Sequence, residues 1–330
     1  MNIALIILAA GKGTRMQSEL PKVLHEVAGA PMLVHAMRAG RALDPKRTII
    51  IAGHGFEAVS AAARAEDPEV EVVRQEAQLG TGHAVDQARA ALSDFDGTVI
   101  VLYGDCPLIQ SRTLEELSAT LSDSAVSVLG FEAKDPARYG RLITGGDKLQ
   151  RFVEFKDASP AERAVSLCNS GVMAASAGLL FDLLSEIDAN NASGELYLTD
   201  VIGKAVARGL PCTAVRCAER ETLGVNSRVE LMQAEKEFQN LRRTEALEDG
   251  VTMPAPETVH FSYDTVIGRD TIIEQNVVFG PGVTVESGAQ IRAFSHLEGA
   301  HVSRGCIIGP YARLRPGAEL AEDVKIGNFV

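Results

Sequence analysis

Three features that would assign this 330-residue chain to a familiar class are missing from it. The five cysteines are an odd number, form no C-x-x-C pair and have no neighbouring histidine at zinc-ligand spacing, which argues against a disulfide framework and a zinc site. Lys and Arg total 32 against 44 Asp and Glu, and the net charge of −12 argues against binding nucleic acid through bulk charge. No apolar run approaches the ~20 residues that span a bilayer. We therefore expect a cytoplasmic protein with reduced thiols that neither binds nucleic acid nor inserts into a membrane.

An aliphatic run near the N-terminus leads into a loop rich in glycine and positive charge. Residues Ile3 to Leu8 are almost purely aliphatic, as expected of a strand buried on both faces of a parallel sheet. The run continues into Leu8-Ala9-Ala10-Gly11-Lys12-Gly13-Thr14-Arg15-Met16, and Pro21-Lys22 follows. Gly11 and Gly13 let the backbone come close to a ligand, and successive N–H groups can cradle an anion there. Three cations within eleven residues favour a polyphosphate: Lys12, Arg15 and Lys22.

A structural turn is the alternative interpretation of this loop. Many glycine-rich turns only join a strand to a helix. The loop is not a Walker loop, because no G-K-[ST] follows four residues after a glycine, and it is not G-x-G-x-x-G, because Met16 stands at the third glycine position. The residue types alone favour phosphate binding over a structural turn.

The next residues alternate between helical and strand patterns. A helix is predicted over Met32 to Leu43, and strands over Thr48 to Ala52 and Val70 to Val73 are separated by the alanine-rich helical stretch Ala58 to Ala65. This alternation predicts a mainly parallel sheet with right-handed crossovers and ligands at the carboxyl ends of its strands. At 46% hydrophobic residues, the chain can form this core and a second domain.

Polar residues follow two more of the predicted strands. The amides of Gln75 and Gln78 carry a donor and an acceptor on one group, which matches the N3–H and O4 edge of uracil, although a glutamine beside a glycine turn is more often a solvated loop residue. The strand Thr98 to Tyr103 delivers Asp105 to the same edge. An isolated Asp would be a turn or cap residue, but beside a phosphate-type loop a carboxylate for Mg²⁺ is the sharper interpretation.

The longest helix is predicted from Arg228 to about Glu248. Ser227 with Glu230 forms a capping-box pattern at its start, and Gly250 is a suitable stop. Asn226 could therefore simply belong to the start of this helix.

From Phe261 onward the apolar residues recur with a period of six, which neither a helix nor a flat strand produces. Such a repeat is typical of a left-handed β-helix, in which about eighteen residues make one triangular coil, so the region supplies nearly four coils. The recurring residues slip by one position before Val302: Phe261, Ile267, Ile273, Phe279, Val285, Ile291, Leu297, Val302, Ile308, Leu314, Leu320 and Ile326.

The motifs resemble those of a known enzyme family. The first loop fills every fixed position of L-A-A-G-x-G-T-R-M followed by P-K, the signature of the sugar-phosphate nucleotidylyltransferases. Three further strings narrow the resemblance to the bifunctional bacterial N-acetylglucosamine-1-phosphate uridylyltransferases, which also acetylate glucosamine 1-phosphate: Q-x-x-Q-L-G-T-G-H-A, Y-G-D-x-P-L and G-V-N-x-R. The sequence has Ser170 where the family more often has Thr, and Leu223 where it often has Glu; no catalytic consequence is expected of the second.

The resemblance implies a role for each matching residue. Arg15 and Lys22 would be catalytic, on the triphosphate, and Asp105 and Asn226 would hold Mg²⁺ as the cofactor. The sugar moiety would be held by Gly140, Glu154, Asn169, Tyr197 and Thr199. The nucleotide would contact Leu8, Ala9, Ala10, Gly11, Gly13, Lys22, Gln75, Gln78, Gly80, Thr81, Tyr103 and Gly104.

The resemblance also implies an architecture and a reaction. It predicts an α/β fold with a Rossmann-like nucleotidylyltransferase domain over residues 1–227, a linker helix over 228–250 and a partial left-handed β-helix over 251–330, through which the chain would form a homotrimer. The substrates would be UTP and N-acetylglucosamine 1-phosphate. The family's coenzyme A site lies in coils beyond Val330, so we expect a shortened chain that lacks the acetyl transfer. The rival hypotheses are a pyrophosphorylase for another base or hexose, an acyltransferase and a non-catalytic trimeric scaffold.

Overall fold

The computed structural model describes residues 2–137, 139–146, 148–191 and 194–330, which form two compact units. The first unit comprises residues up to His25 together with Pro31–Glu230, and the second comprises Glu26–Ala30 together with Leu231–Val330. The short segment at residues 26–30 thus groups with the C-terminal part of the chain.

The elements between residues 32 and 103 alternate between helices and strands as the sequence predicts. The strands are β1 (Ile3–Ala9), β2 (Glu26–Val27), β3 (Ala30–Pro31), β4 (Arg47–Ala52), β5 (Glu71–Arg74), β6 (Thr98–Tyr103), β7 (Val126–Glu132), β8 (Arg141–Gly145), β9 (Lys148–Val153), β10 (Leu167–Ser176) and β11 (Cys212–Cys217). The helices are α1 (Met32–Arg41), α2 (Phe56–Glu66), α3 (Thr81–Asp86), α4 (Ser111–Ala119), α5 (Pro160–Arg163), α6 (Ala177–Leu184) and α7 (Asp200–Ala207). Short 3-10 helices span Thr14–Met16, Lys22–Leu24, Thr120–Ser122 and Glu219–Thr222.

Within the described residues the first unit is built on a nine-stranded sheet of order β5-β4-β1-β6-β10-β7-β11-β9-β8. Strands β9 and β10 run opposite to the rest, so the predicted mainly parallel sheet is confirmed. Strand β1 is buried along its whole length. Its alternate residues enter two separate hydrophobic clusters, one on each face, which is why the strand is aliphatic rather than alternating.

One residue of the predicted sugar site, Asn169, lies inside strand β10, where the register with β7 shifts between Asn169 and Met173. The Asn169 side-chain oxygen accepts a hydrogen bond from the Gly171 N–H at 3.1 Å, and Gly171 adopts a φ of 90°. This local turn makes a bulge in the strand directly after Asn169.

The second unit begins with the C-terminal part of α8 (Arg228–Glu248), whose predicted bounds are confirmed. The Gln239 amide donates to the Phe261 carbonyl oxygen at 2.7 Å and accepts from the Phe261 N–H at 2.9 Å. These two bonds satisfy the backbone N–H and carbonyl oxygen of Phe261. The side chain of a helix residue thus takes the place that a neighbouring strand has in the later coils.

The remaining strands form a three-sided β-helix, within a segment that the structure describes without gaps. The sheets are β12-β15-β18-β21, β13-β16-β19-β22 and β14-β17-β20, all parallel. The strands are β12 (Val266–Ile267), β13 (Ile272–Ile273), β14 (Val278–Phe279), β15 (Thr284–Val285), β16 (Gln290–Ile291), β17 (His296–Leu297), β18 (Ala300–Val302), β19 (Ile307–Ile308), β20 (Arg313–Leu314), β21 (Ala318–Leu320) and β22 (Lys325–Ile326).

The predicted period is confirmed in the strand pairing. Val266 pairs with Thr284, eighteen residues on, whereas His296 pairs with Arg313, seventeen residues on, because the slip before Val302 shortens one coil. All twelve recurring apolar residues belong to or pack against one hydrophobic cluster. The cluster also contains Val251 and Met253, so the core of the coils starts earlier than the predicted Phe261.

All five cysteines lie in described residues and are free thiols, as predicted. No helix in the described part of the chain is both long and apolar enough to cross a membrane.

Candidate active site

The ends of β1 and β6 and the loop after β5 surround a cavity of about 340 Å³. Ten residues predicted to contact the nucleotide or to act in catalysis line it: Leu8, Ala9, Ala10, Gly11, Lys22, Gln75, Gln78, Gly80, Thr81 and Tyr103. Asp105 lines it as well, together with three residues that the sequence reasoning missed, Val23, Ala84 and Glu195. Val23 directly follows the predicted residue Lys22, and Ala84 lies three positions after the predicted residue Thr81. Only this closeness in sequence could have pointed to them.

Two glycines explain how the first loop approaches this cavity. Gly13 has a φ of 60°, and a Cβ atom placed on it would lie 2.6 Å from the Lys22 Cβ. A side chain there would push Lys22 away, so glycine is required for this close packing. A Cβ on Gly11 would meet nothing within 4 Å, so Gly11 leaves open space on the cavity side of the loop.

Lys22, Asp105 and Asn226 come together at the edge of the cavity. The Lys22 Nζ donates hydrogen bonds to Asp105 Oδ2 and, at 2.9 Å, to Asn226 Oδ1. The side chains of Lys22 and Asp105 are only 11% and 16% exposed. The fold thus brings Lys22 together with Asp105, which is 83 positions away in the chain, and with Asn226, which is 204 positions away.

Backbone hydrogen bonds hold this cluster in place. The Val225 N–H donates to the Asp105 carbonyl oxygen at 2.9 Å, which ties the segment before α8 to the end of β6. The Glu230 carboxylate accepts from the Asn226 N–H at 2.7 Å, while the Glu230 N–H donates to Ser227 Oγ at 3.3 Å. Half of the predicted capping box is therefore present: Ser227 Oγ accepts from the Glu230 N–H, whereas the Glu230 carboxylate bonds the N–H of Asn226 instead of that of Ser227.

The donor set of this cluster suits a hard divalent cation. A carboxylate oxygen and a neutral amide oxygen already converge on a single positive group, the Lys22 ammonium. Among the described residues no group of three or more His, Cys, Asp and Glu side chains could hold a metal ion. Two protein oxygens are nevertheless sufficient for Mg²⁺, which keeps several waters and takes further ligands from substrate phosphates.

Three of the residues predicted to contact the nucleotide or to act in catalysis, Arg15, Gly13 and Gly104, are not part of the cavity lining. Arg15 is exposed, and its guanidinium has no hydrogen-bond or ion-pair partner in the part of the chain that the structure describes. Both glycines pack against residues of the lining or close to it. A Cβ on Gly13 would lie 2.6 Å from Lys22 Cβ, and a Cβ on Gly104 would come within 3.3 Å of Leu33 Cδ1. The role of Arg15 on a triphosphate stays a prediction.

The two predicted base-reading glutamines are held by protein contacts. Gln75 is 4% exposed; its amide nitrogen donates to the Gly80 carbonyl oxygen at 3.3 Å and lies 2.9 Å from His83 Nδ1. The Gln78 amide nitrogen donates to the Ala10 carbonyl oxygen at 2.5 Å, which joins the first loop to the one after β5. The amide nitrogen of Gln75 is thus engaged within its own loop, and its amide oxygen is the group left to accept a hydrogen bond from a ligand.

The residues predicted to hold the sugar form a second cluster. The Asn169 N–H donates to the Gly140 carbonyl oxygen at 2.9 Å, and a Cβ on Gly140 would lie 3.6 Å from Glu154 Oε2. Tyr197 and Thr199 lie on a segment tied to the start of α3, because the Leu198 N–H donates to Thr81 Oγ1 at 3.0 Å. Thr199 Oγ1 is buried beside the Glu154 carboxyl, and it favours the charged form of that group.

Tyr103 stands between the two clusters. A Cβ on Gly171 would lie 2.7 Å from the Tyr103 ring, so this glycine lets the ring pack against the bulge of β10. Burial raises the pKa of the Tyr103 hydroxyl, and the neighbouring Asp105 and Cys106 add to the effect.

Two more titratable groups are shifted by their surroundings. Burial raises the pKa of the Glu154 carboxyl, and the carboxylates of Asp200 and Asp157 raise it further. Burial and Asp105 raise the pKa of the Cys106 thiol well above its usual value, and its Sγ lies 3.7 Å from Asp105 Oδ1. Cys106 is therefore a neutral thiol and is unsuited to act as a nucleophile.

Comparison with known proteins gives the site a family. The model of the MobA-like NTP transferase domain matches residues 5–176, and that of the bacterial transferase hexapeptide repeat matches residues 264–299. The chain is 62% identical to the bifunctional protein GlmU of Roseobacter denitrificans, and 64% identical to that of Ruegeria pomeroyi. Both matches cover 100% of this chain and 73% of the relative.

Solved structures show the same fold at low identity. A UDP-glucose pyrophosphorylase complexed with UDP-glucose superimposes with a TM-score of 0.60 at 17% identity, over 73% of this chain and 100% of that one. A putative glucose-1-phosphate thymidylyltransferase from Bacillus anthracis gives a TM-score of 0.57 at 22% identity, over 71% and 94% of the two chains. Together with the matches over its whole length, these findings mean that the chain is a nucleotidyltransferase and belongs to the family of the bifunctional GlmU proteins.

Proposed function

We propose that this protein converts UTP and N-acetyl-α-D-glucosamine 1-phosphate into UDP-N-acetylglucosamine and pyrophosphate, with Mg²⁺ as its cofactor, in the cytoplasm. The observation that carries the proposal is the convergence of Lys22, Asp105 and Asn226 beside a cavity that also presents Gln75. Family membership supports the reaction class, and divalent metals are general among such enzymes.

The residues of the site suit a transfer that needs little acid-base chemistry. The attacking group is a phosphate oxygen of the sugar phosphate, which is already an anion, and its attack on the α-phosphorus of UTP expels pyrophosphate. The protein must hold two anions together and neutralise the charge that develops. Lys22 and Arg15 supply the positive charge, and Asp105 and Asn226 would hold the metal. When bound, Mg²⁺ would supply positive charge and Lewis-acid polarisation to the phosphates.

Selectivity for base and sugar would come from the two clusters on either side of Tyr103. The Gln75 amide oxygen is an acceptor that suits the N3–H of uracil, since its nitrogen is already bonded to Gly80. Glu154 and Asn169 present acceptor oxygens of the kind that sugar hydroxyl and acetamido groups bind.

The second unit would serve assembly into a homotrimer. The hexapeptide repeat favours side-by-side packing, and one corner carries exposed stacked rings, Phe294 on Tyr311 at 5.0 Å and Tyr311 on Phe329 at 5.5 Å. An exposed apolar column of this kind is a typical association surface. Sedimentation equilibrium at micromolar protein would show a trimer, and a monomeric mass would contradict it.

The reaction is tested by measuring pyrophosphate release with N-acetylglucosamine 1-phosphate and each of the four nucleoside triphosphates. We expect UTP to be strongly preferred, and activity to depend on added Mg²⁺ after treatment with a chelator. Glucose 1-phosphate with UTP is the matched control for the sugar. Preference for another nucleotide or for glucose 1-phosphate would establish the rival pyrophosphorylase instead.

A further inference from the structure

The Lys22 ammonium occupies the position that a metal ion would take. It bonds the same two oxygens, Asp105 Oδ2 and Asn226 Oδ1, that the proposed function assigns to the metal. In the described part of the chain no other ion pair is formed by Asp105. One positive group therefore balances the carboxylate in the substrate-free protein.

The backbone at Lys22 is held in place, whereas its ammonium lies at the end of a long side chain. The next two residues, Val23 and Leu24, are buried, and the His25 N–H donates to the Lys22 carbonyl oxygen at 3.2 Å. The ammonium is carried on a flexible four-carbon stem with three rotatable donors. Since Lys22 also lines the cavity, the same anchor point gives its ammonium access to a ligand there.

We propose that Lys22 is a built-in competitor for the metal site: its ammonium holds Asp105 and Asn226 until nucleotide phosphates draw it away. Two cations cannot share these two oxygens, because like charges at such short distance repel strongly. A triphosphate offers Lys22 alternative acceptors, so the two oxygens become available to a divalent cation when the nucleotide is present. This inference rests on the proposed function for the identity of the metal ligands.

The consequence is a coupling between the two ligands. Divalent cations bind the nucleotide-free protein weakly, and nucleotide and cation strengthen each other's binding reciprocally. The alternative is that Lys22 is only a static structural partner of Asp105. Its removal would then leave an unpaired carboxylate but would not open a cation site formed by the Asp105 and Asn226 oxygens.

The test measures Mn²⁺ binding to the nucleotide-free protein by electron paramagnetic resonance of the unbound ion. Lys22→Met should bind Mn²⁺ about tenfold or more tightly than the native protein, within the ~5- to 150-fold range that is typical of site coupling. Lys12→Met is the matched control, because it removes the same charge from an exposed position on the same loop. The double variant Lys22→Met/Asp105→Ala should lose the gained affinity.

The proposal is overturned if Lys22→Met binds Mn²⁺ no more tightly than Lys12→Met, or if the gain survives the loss of Asp105. Should Lys22→Met fail to fold, Lys22→Gln and Lys22→Arg carry the same test: the first should gain Mn²⁺ affinity, and the second, which keeps the charge, should not. Pyrophosphate release by the native protein is measured in parallel. Its absence would reject the proposed function while leaving the Mn²⁺ comparison to decide the role of Lys22.

Discussion

Both units of this protein are built largely from parallel strands, yet they use the ends of those strands differently. In the first unit each strand leads into a different polar segment: the loop with Lys22 follows β1, Gln75 follows β5 and Asp105 follows β6. In the second unit each coil repeats the one before it, and the recurring position is always apolar. Variation at the strand ends supplies chemistry, whereas repetition supplies a scaffold.

The buried polar groups show the same contrast. In the first unit Gln75, after β5, and Asp105, after β6, meet at one cavity. In the second unit the buried Thr265 hydroxyl bonds locally, its Oγ1 accepting a hydrogen bond from the Ser262 N–H at 3.0 Å. A polar residue that bonds its own turn stabilises a coil, but one that meets residues from other strands can form a site.

The largest expected effect is in the first unit, where Asp105→Ala should lower turnover by about a thousandfold or more, because it removes the carboxylate that would hold the metal ion, and the charge of that ion would neutralise the transition state. The fold should persist, since Asp105 lies at a strand end and not in a hydrophobic cluster. Steady-state pyrophosphate release and circular dichroism measure the two quantities. Asp123→Ala, at an exposed turn, is the control and should match the native protein. Near-native turnover in Asp105→Ala would remove Asp105 from the metal site.

The comparison also explains which parts of the structure a sequence can predict. The period of six predicted all twelve recurring core positions, because each coil repeats one local rule and a one-residue slip only shortens one coil. The strands of the first unit were predictable from aliphatic runs. Their burial on both faces follows from the parallel sheet.

The site was less predictable, because its contacts join residues far apart in sequence. Lys22 meets Asp105 across 83 positions and Gln78 meets Ala10 across 68, and no local pattern encodes such distances. The residue types indicated phosphate and metal chemistry, but the family resemblance was needed to select Glu154 and Asn169. The bulge that carries Asn169 was missed, since a bulge depends on the partner strand rather than on the residue itself.

A core substitution in the second unit should have the next largest effect, on stability alone. Ile308 is fully buried in β19, and Ile308→Ala should cost about 2–4 kcal/mol in the free energy of unfolding that unit, because it leaves a cavity between coils. Hydrogen exchange in β16, β19 and β22 measures the loss, and turnover per folded molecule should not change. Val266→Ala, at a residue 57% exposed, should change stability by less than ~0.5 kcal/mol. Equal losses in the two variants would contradict a core role for the recurring position.

Two glycines with similar backbones provide a matched pair across the units. Gly13 has a φ of 60° and Gly288 a φ of 76°, so an alanine at either position should cost about 1 kcal/mol or slightly more from backbone strain. A new Cβ would press on Lys22 only at Gly13, because at Gly288 it would meet nothing within 4 Å. We therefore expect Gly13→Ala to lower turnover by about tenfold and Gly288→Ala to leave it unchanged. Thermal melting measures the effect of backbone strain on stability, and steady-state kinetics measures the effect of displacing Lys22 on turnover. Equal activity in both variants would argue against a role for the Gly13 turn in placing Lys22.

The smallest effect concerns Glu154, whose raised pKa means that its charge is disfavoured in the folded protein. The ionised Glu154 carboxylate therefore lowers the stability of the fold. This loss of stability is fully present above the raised pKa, declines as the pH falls toward the usual glutamate pKa and is absent below that usual pKa. Glu154→Gln removes this cost, so its melting temperature at neutral pH should rise by about 1–2 °C, while its Michaelis constant for the sugar phosphate rises because an acceptor for the sugar is lost.

Glu162 is the control of opposite sign. Ser159 lowers the pKa of the Glu162 carboxyl through hydrogen bonds from its hydroxyl and its backbone N–H, so the charged form is favoured there. The stability that Glu162 contributes is present above its usual pKa and is lost as the pH falls through the lowered one. Glu162→Gln should therefore melt slightly lower at neutral pH and use the sugar normally. Two results would contradict this account: a lower melting temperature for Glu154→Gln at neutral pH, or a rise in its melting temperature that persists below the usual glutamate pKa. Either result would mean that the substitution does not act by removing a buried charge. Glu154 would then not lie in a pocket that keeps a carboxylate for a ligand.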